Sequence, residues 1–359
     1  MNLRCVLALV LTCLLCSFNQ AALAQGRSDA NDSIPRPYPE AYNFAYDKVE
    51  TESRYLRMRD DVRIAVDIHL PKGRPADAKL PTLMWQTRYW RSVDLSWPFE
   101  WFMSEHFIGR RGKMFRRFVR AGYAVVVVDT RGTGASFDTA EMPFHEDEIR
   151  DGYDIAEWIT QQPWSSGKIG AVGVSYSGVT ADFLATNGHP AVKAVATLFS
   201  MYDVFDDVTF PGGIYDSWFT RQWGELNRSL DLNIMPKEGF MRDIVVRGVL
   251  PVDGSEGKRL MKQAVAKHRD NYDVRRIGDS THFRDDTPAE IKGYSMDQLS
   301  PHTHSEKAKR TDVAFYSWSG YYDGAYPHSA IKRHLTLNRP QNKLILGPWE
   351  HGGEFNGSP

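Results

Sequence analysis

The sequence has very little cysteine. Its 359 residues include three, Cys5, Cys13 and Cys16, and all of them lie within the first sixteen positions. The rest of the chain therefore has neither a thiol nor a disulfide. A chain of this length buries a large enough core to fold without disulfides.

An excess of charge of one sign is also missing. Lysine and arginine number 44, aspartate and glutamate 45, and the formal net charge is −1. This balance gives no electrostatic reason to bind nucleic acid or acidic lipid. We predict no nucleic-acid partner. The oligomeric state stays open, and a homo-oligomer is one of the states that the composition allows.

No long apolar run follows the first residues. Arg4 precedes the uncharged, mostly apolar segment 5–18, and Ala22-Leu23-Ala24 then fits a cleavage site before Gln25. This pattern predicts a signal peptide over residues 1–24, since the run is too short to span a bilayer comfortably. We expect a periplasmic or secreted protein that has no stable membrane insertion after cleavage.

What the chain does contain is an alternation of apolar runs and helical patterns. Residues 81–85, 123–128, 169–172 and 192–198 are predicted strands. Residues 99–120 and 151–162 have helical spacing, whereas residues 62–70 alternate with the period of a half-buried strand. Strands that alternate with helices predict an α/β fold with a mainly parallel sheet.

The domain organisation follows from where this alternation is interrupted. Residues 25–50 are predicted as an N-terminal arm, and residues 51–199 as the first part of the core. Residues 200–305 are rich in charge and helix-compatible, so they are predicted as a helical cap insertion. Residues 306–359 are the predicted second part of the core.

Ser175 is the strongest candidate for a catalytic residue. The sequence Gly173-Val174-Ser175-Tyr176-Ser177-Gly178 directly follows a predicted strand. A serine between glycines at the end of a strand is typical of a nucleophile elbow, although here the second glycine comes one position late. The alternative is that Ser175 only caps the following helix.

Two further candidates follow their own predicted strands. Asp323 comes after the apolar segment 313–318, and His351 comes after residues 344–348. The order Ser, Asp, His along the chain is that of the α/β-hydrolase fold, a mostly parallel, doubly wound sheet. We predict Ser175 as nucleophile, His351 as base and Asp323 as the group that orients the base. The backbone N–H of Tyr176 is the predicted oxyanion donor.

Other residues are weaker candidates for these roles. Asp312 precedes its predicted strand, and no strand leads to His328 or His334. His302 and His304 lie in a polar segment without a third ligand nearby, so we predict no metal site.

A glycine pattern at residues 132–134 does not indicate a cofactor. The position for the third glycine of a dinucleotide fingerprint is Phe137, and no helix is predicted to begin there. We expect no cofactor, and we expect Arg131 to anchor this loop by hydrogen bonds.

Several motifs together resemble the cocaine esterase / X-Pro dipeptidyl-peptidase family of serine hydrolases. They are Asp-x-Arg-Gly-x-Gly at 129–134, the elbow at 173–178, Tyr-Tyr-Asp at 321–323 and Gly-Pro-Trp-Glu-His-Gly at 347–352. The resemblance implies an α/β-hydrolase core, a helical cap and a C-terminal jelly-roll domain. It also implies that the Tyr89 hydroxyl is the second oxyanion donor. Eight residues follow His351, so we expect the jelly roll to be absent.

The predicted function is that of an exported serine hydrolase that cleaves ester or amide bonds of small-molecule acyl substrates through an acyl-enzyme on Ser175. One alternative is an X-Pro dipeptidyl-peptidase type of aminopeptidase, and another is a truncated, inactive homologue. The resemblance implies that members which bind an α-amino group use clustered carboxylates, and no acid directly follows Asp323 here. Asp203, Asp206 and Asp207 are candidates for this role, with solvated side chains as the alternative. Four tryptophans are candidates for an aromatic acyl pocket, with core packing as the alternative: Trp97, Trp101, Trp218 and Trp223.

Overall fold

The computed structural model describes residues 44–353 except residues 102, 105, 107, 108 and 236–243. The predicted signal peptide (1–24) and the predicted arm up to residue 43 lie outside the described residues. The last two residues of the arm, at 49 and 50, belong to the first strand, so the arm ends earlier than predicted.

The strands begin and end close to the apolar runs. Those of the main sheet are β1 (Val49–Arg57), β2 (Arg63–Pro71), β3 (Leu80–Thr87), β5 (Ala124–Asp129), β6 (Ser165–Val174), β7 (Val192–Leu198), β9 (Ala314–Gly320) and β10 (Lys343–Gly347). Two short strands, β4 (Val93–Leu95) and β8 (Val246–Val249), pair antiparallel with each other.

The helices alternate with these strands. They are α1 (Gly109–Arg120), α2 (Glu146–Thr160), α3 (Tyr176–Thr186), α4 (Ser217–Asp231), α5 (Gly257–Lys267), α6 (Val274–Ser280), α7 (Ser305–Lys309) and α8 (Tyr326–Thr336). Of the described residues in the segment 99–120, which is predicted as helical, those of α1 form an α-helix and Phe99–Trp101 form a short 3₁₀ turn. Among the described residues, no helix is both long enough and apolar enough to cross a bilayer.

The main sheet has the strand order β1-β2-β5-β3-β6-β7-β9-β10. The first two neighbour pairs are antiparallel, and the rest of the sheet is parallel. This is the α/β-hydrolase fold that the sequence predicts. Because β3, β6, β9 and β10 run in the same direction, the loops after their carboxyl ends meet at one edge of the sheet.

Strand β2 differs from the prediction in its burial. Its alternating pattern indicates one face in water, yet the side chains of Ala65, Asp67 and His69 are buried as well as those of Ile64 and Val66. The polar side chains on the second face are buried because they form a hydrogen-bonded cluster. Asp67 accepts a bond of 2.8 Å from the guanidinium of Arg91.

The loop after β5 is anchored by Arg131, as predicted. Its guanidinium donates to Asp151 in α2 (2.6 and 2.8 Å), to Asp60 (2.8 Å) and to Asp138 (2.9 Å). Gly134 lets this loop wrap tightly, since a Cβ there would lie 2.3 Å from the Asp129 carboxyl group.

Residues 200–305 contain most of the helices that do not cover the sheet. Helices α4, α5 and α6 lie in this segment, together with strand β8 and several single-turn helices. Apolar side chains from this segment, among them Met201, Val208 and Ile277, pack with Phe144 and Tyr176 of the core. The division into core and cap stays a prediction.

Candidate active site

Ser175 occupies a strained turn between β6 and α3. Its backbone has φ 61° and ψ −126°, which is uncommon for a residue with a side chain. The N–H of Ser175 donates to the carbonyl groups of Leu198 (3.0 Å) and Phe199 (3.1 Å) at the end of β7. This turn has the geometry of a nucleophile elbow, and Ser175 makes no side-chain cap to α3.

The two glycines of the motif are needed for the close approach of backbone segments. A Cβ on Gly173 would lie 1.9 Å from the carbonyl oxygen of Ser177, and a Cβ on Gly178 would lie 2.6 Å from the Cβ of Ser200. Ser177 occupies the position where a nucleophile elbow usually has its second glycine. Its side chain is buried, and its hydroxyl has no hydrogen-bond partner among the described residues.

Two hydrogen-bond donors lie beside Ser175. Tyr176 is the first residue of α3, and its N–H has no acceptor among the described residues, as expected in the first turn of a helix. Tyr89 follows β3, and its hydroxyl lies beside the Ser175 side chain. Burial raises the pKa of Tyr89, so its hydroxyl keeps its proton.

Trp223 of α4 orients the Tyr89 hydroxyl. Its indole N–H donates to the Tyr89 oxygen at 2.8 Å. Because that oxygen accepts from Trp223, the proton of Tyr89 is free to point toward Ser175. The sequence does not reveal this contact, since 134 residues separate the two side chains.

Asp323 and His351 form the hydrogen-bonded pair that the sequence predicts. Nδ1 of His351 donates to the two carboxylate oxygens of Asp323, at 2.9 and 3.1 Å. The Asp323 side chain is 4% exposed and the His351 side chain 44% exposed. Burial raises the pKa of Asp323, while the bond from His351 opposes this shift. A donor at Nδ1 leaves Nε2 of His351 as the basic nitrogen.

Close contact between the loops after β9 and β10 brings this pair together. The N–H groups of Tyr321 and Tyr322 donate to the carbonyl groups of Gly347 (2.8 Å) and Trp349 (3.0 Å). Gly320 makes this contact possible, because a Cβ there would lie 1.9 Å from the Trp349 carbonyl oxygen.

Tyr326 lies between the two halves of the candidate site. Its hydroxyl lies beside the Ser175 side chain, and its ring packs on the His351 ring at a centroid distance of 4.7 Å. No hydrogen bond joins Ser175 directly to His351 in the described part of the chain. Such bonds are often long before a substrate binds.

The family is decided by comparison with known proteins. The sequence model of the X-Pro dipeptidyl-peptidase (S15) family matches residues 60–353. The chain belongs to this family.

Its relatives in the S15 family include proteins named as esterases. A Mycobacterium bovis protein named "Putative serine esterase" is 41% identical over 336 residues, which cover 88% of this chain and 53% of that protein. The cocaine esterase of a Rhodococcus species is 36% identical over 157 residues, 44% of this chain and 25% of the esterase. The chain thus spans about half the length of the mycobacterial relative.

Solved structures show the same fold. A CocE/NonD family hydrolase from Staphylococcus aureus superposes with a TM-score of 0.57 at 18% identity, covering 83% of this chain and 46% of the hydrolase. An α-amino acid ester hydrolase gives a TM-score of 0.52 at 21% identity, covering 91% and 52%. The S15 chain therefore shares the α/β-hydrolase fold with both.

The acidic residues near the site already have cationic partners in this S15 chain. Arg284 donates to Asp203 (2.8 Å) and to Asp297 (2.6 Å). Lys332 donates to Asp206 (2.5 Å) and Asp207 (3.1 Å). His302 adds a third possible metal ligand to the first group and His328 to the second, but a protein cation lies at the carboxylates of each.

The positions of the weaker candidates relative to the strands agree with the sequence analysis. Asp312 is exposed and precedes β9, so it lies at the opposite end of that strand from Asp323. His328 and His334 lie on α8. The ring of His304 packs edge-on against Phe183 in α3, at a centroid distance of 5.3 Å.

Three of the four tryptophans do not pack in the core, so that alternative is wrong for them. Trp97, Trp101 and Trp218 are 67%, 69% and 71% exposed. Trp223 is half-buried and lines an apolar cavity together with Phe144, Met201 and Phe219. Among the four, Trp223 is therefore the one whose contacts place it at the candidate site.

Sequence reasoning missed Tyr326 and Glu148. Tyr326 gave no signal, because an aromatic residue after an acidic one is compatible with simple packing. Glu148 did give one, since it shares the buried face of α2 with Gly152, Ile155 and Ile159. An acid in register with an apolar helical stripe indicates a buried carboxyl group.

Proposed function

We propose that the protein is a serine hydrolase that cleaves ester or amide bonds of small acyl substrates through an acyl-enzyme on Ser175. The observation that carries this proposal is the strained backbone of Ser175 beside the Tyr89 hydroxyl, at the same sheet edge as the hydrogen-bonded pair of Asp323 and His351. Membership of the S15 family supports it.

The residues suggest a division of the chemistry. Ser175 Oγ attacks the substrate carbonyl carbon while Nε2 of His351 takes the serine proton. His351 then gives this proton to the leaving alcohol or amine, and the acyl group stays on Ser175. A water molecule then attacks the carbonyl carbon of the acyl-enzyme while His351 takes a proton from it. His351 returns the proton to Ser175 Oγ, and the carboxylic acid leaves. Asp323 orients the imidazole and stabilises its protonated form.

The charge that develops on the substrate oxygen needs donors that are already aimed at it. The N–H of Tyr176 and the hydroxyl of Tyr89 are the proposed pair. The Tyr89 proton is available because Trp223 donates to the Tyr89 oxygen. Donors held in place before the reaction lower the barrier without reorganisation.

An uncharged, apolar acyl group fits the surroundings better than an aminoacyl group. A free α-amino group would need an unpaired carboxylate, whereas Asp203, Asp206 and Asp207 are paired with Arg284 or Lys332. The cavity beside Trp223 is lined almost wholly by apolar side chains. We therefore favour an esterase or acylase over an aminopeptidase. Export through a signal peptide at residues 1–24 is part of the proposal.

The test is labelling of the protein by a fluorophosphonate probe. We expect fast labelling of the wild type and none of Ser175→Ala. Ser177→Ala is the matched control, because the Ser177 hydroxyl has no hydrogen-bond partner in the described part of the chain and should be dispensable. Labelling that survives in Ser175→Ala would contradict the assignment of the nucleophile, and an unlabelled wild type would favour an inactive homologue.

The acyl preference is measured separately. Hydrolysis of p-nitrophenyl esters with apolar acyl groups should exceed hydrolysis of aminoacyl esters and X-Pro amides. Faster cleavage of X-Pro amides would instead support the dipeptidyl-peptidase alternative.

A further inference from the structure

Glu148 is a buried carboxyl group that the proposed reaction leaves unused. It lies in the first turn of α2 and is 7% exposed. Burying a carboxylate is costly unless hydrogen bonds or a cation stabilise it. Its partners therefore explain why an acid occupies this position.

The hydroxyl of Tyr176 is the partner of Glu148. It lies 2.8 Å from each of the two carboxylate oxygens. A hydrogen bond to an ionised acceptor is about twice as strong as one between neutral groups. The Tyr176 side chain is itself buried, since it is 2% exposed.

The charges around this pair come from three other segments and from α2 itself. Arg88, after β3, is a cation that acts on Glu148, and it lies over the Tyr176 ring at 5.8 Å while bonded to Asp231 at 3.1 Å. Tyr272, before α6, packs against Arg88, and Asp151 is one turn further along α2. The cavity on the other side of Glu148 is lined by neutral side chains, among them Gln86 and Thr180.

Tyr176 connects this buried acid to the candidate site. It directly follows Ser175, and its N–H is the proposed oxyanion donor. Its ring stacks on Phe144 at 4.5 Å and meets Tyr89 edge-on at 6.1 Å. The direction of the N–H bond therefore depends on how firmly the Tyr176 side chain is held at its far end.

We propose that Glu148 is a positioning residue, whose ionised carboxylate holds the Tyr176 hydroxyl and thereby aims the Tyr176 N–H at the oxyanion. This inference rests on the proposed function. Protonation of Glu148 replaces a carboxylate that accepts the tyrosine hydroxyl through either oxygen with a neutral acid that carries its own proton on one of them. The bond to Tyr176 is then weaker, and the elbow loses its anchor.

The consequence is a second ionisation in the acid limb of the reaction. Burial raises the pKa of Glu148 to about 7, which is close to the range in which imidazoles titrate. The site is competent only when the imidazole is neutral and Glu148 is ionised. Protonation of both groups at low pH makes log kcat/KM fall with a slope of about 2 against pH. Protonation of a single essential base would give a slope of about 1.

Glu148→Gln is the central variant, because glutamine keeps the shape but is neutral at every pH, like protonated Glu148. We therefore expect a lower kcat/KM than that of the wild type near neutral pH. We expect the acid-limb slope to fall from about 2 in the wild type to about 1 in this variant. Tyr176→Phe keeps the backbone N–H and removes the hydroxyl through which Glu148 acts, so its acid-limb slope should also be about 1. Glu146→Gln is the matched control, since Glu146 lies in the same turn and its side chain is 60% exposed.

A second measurement does not depend on turnover. The backbone amide of Tyr176, observed by NMR in protein labelled with ¹⁵N-tyrosine and assigned with Tyr176→Phe, should shift with pH in the wild type. It should not shift with that ionisation in Glu148→Gln.

The two measurements separate the two proposals. A slope of 1 in an active wild type, or an unchanged slope of 2 in Glu148→Gln, overturns the role of Glu148. An amide of Tyr176 that does not titrate with Glu148 overturns it as well. A wild type that titrates as expected but is neither active nor labelled overturns the proposed function and leaves the coupling in place.

Discussion

At the scale of single residues, the two tyrosine hydroxyls beside Ser175 differ in how they are held. Tyr89 accepts a hydrogen bond from Trp223, which fixes its oxygen and frees its proton. Tyr326 is held by its ring, which packs on His351. We infer that Tyr89 serves the oxyanion and that Tyr326 serves the nucleophile itself.

Tyr89→Phe should therefore lower kcat by about 10²–10³, the typical cost of one oxyanion donor, with little change in KM. Tyr326→Phe keeps the ring against His351 and removes the hydroxyl beside Ser175, so we expect a smaller loss of about tenfold, the scale of one neutral hydrogen bond. Steady-state hydrolysis of a p-nitrophenyl ester by both variants tests whether Tyr89→Phe loses more activity than Tyr326→Phe.

Tyr55→Phe is the control for these two variants. The Tyr55 hydroxyl donates to the Ala135 carbonyl at 2.9 Å, so its hydrogen bond is made to a residue outside the candidate site. This control should lose some stability and keep its kcat. An unchanged kcat/KM in Tyr89→Phe would mean that the second oxyanion donor is another group.

At the scale of elements, the turn between β6 and α3 is tightly constrained. It combines the positive φ of Ser175 with the contact of Gly173 against the carbonyl group of Ser177. The backbone can only double back this tightly where no side chain fills the space. The geometry of the site thus depends on the positions of these glycines as well as on Ser175.

Gly173→Ala should lower the free energy of unfolding by about 1–3 kcal/mol or more, because its Cβ would lie 1.9 Å from a backbone oxygen. Gly170→Ala, in the same strand, is the matched control. A Cβ there would lie 3.4 Å from the Ala194 carbonyl oxygen, an ordinary contact. Urea unfolding of the two variants measures the difference, and equal stabilities would argue against the tight turn.

At the scale of the whole molecule, buried carboxyl groups make stability depend on pH. Burial raises the pKa of Glu148 to about 7 and that of Asp151 to about 6. An acid with a raised pKa in the folded state contributes stability below its unfolded pKa, and this contribution is lost as the pH rises through the folded value. The ionised form of Glu148 that we propose to be active is therefore the less stable one.

Glu148→Gln removes this dependence, since glutamine does not titrate. The difference in unfolding free energy between this variant and the wild type should be about 2–3 kcal/mol more in favour of the variant at pH 8.5 than at pH 5. Urea unfolding of both proteins at the two pH values measures it. A difference that is the same at both values would mean that Glu148 titrates normally.

The sequence by itself determined the fold class and the order of the candidate catalytic residues. Apolar runs such as residues 124–128 form strands whose side chains are buried in the sheet, and apolar residue types indicate this burial in the sequence. Ser175, Asp323 and His351 were predictable because each follows such a run, and parallel strands bring their carboxyl ends to one edge.

Only the tertiary structure decided which distant side chains touch. Trp223 meets Tyr89 across 134 residues, and Glu148 meets Tyr176 across 28. The burial of Asp67 on the second face of β2 also depends on partners elsewhere in the chain. Local pattern indicates which face of an element is apolar, but a buried polar group is stabilised by whichever partner the fold brings to it, and that pairing has no local signal.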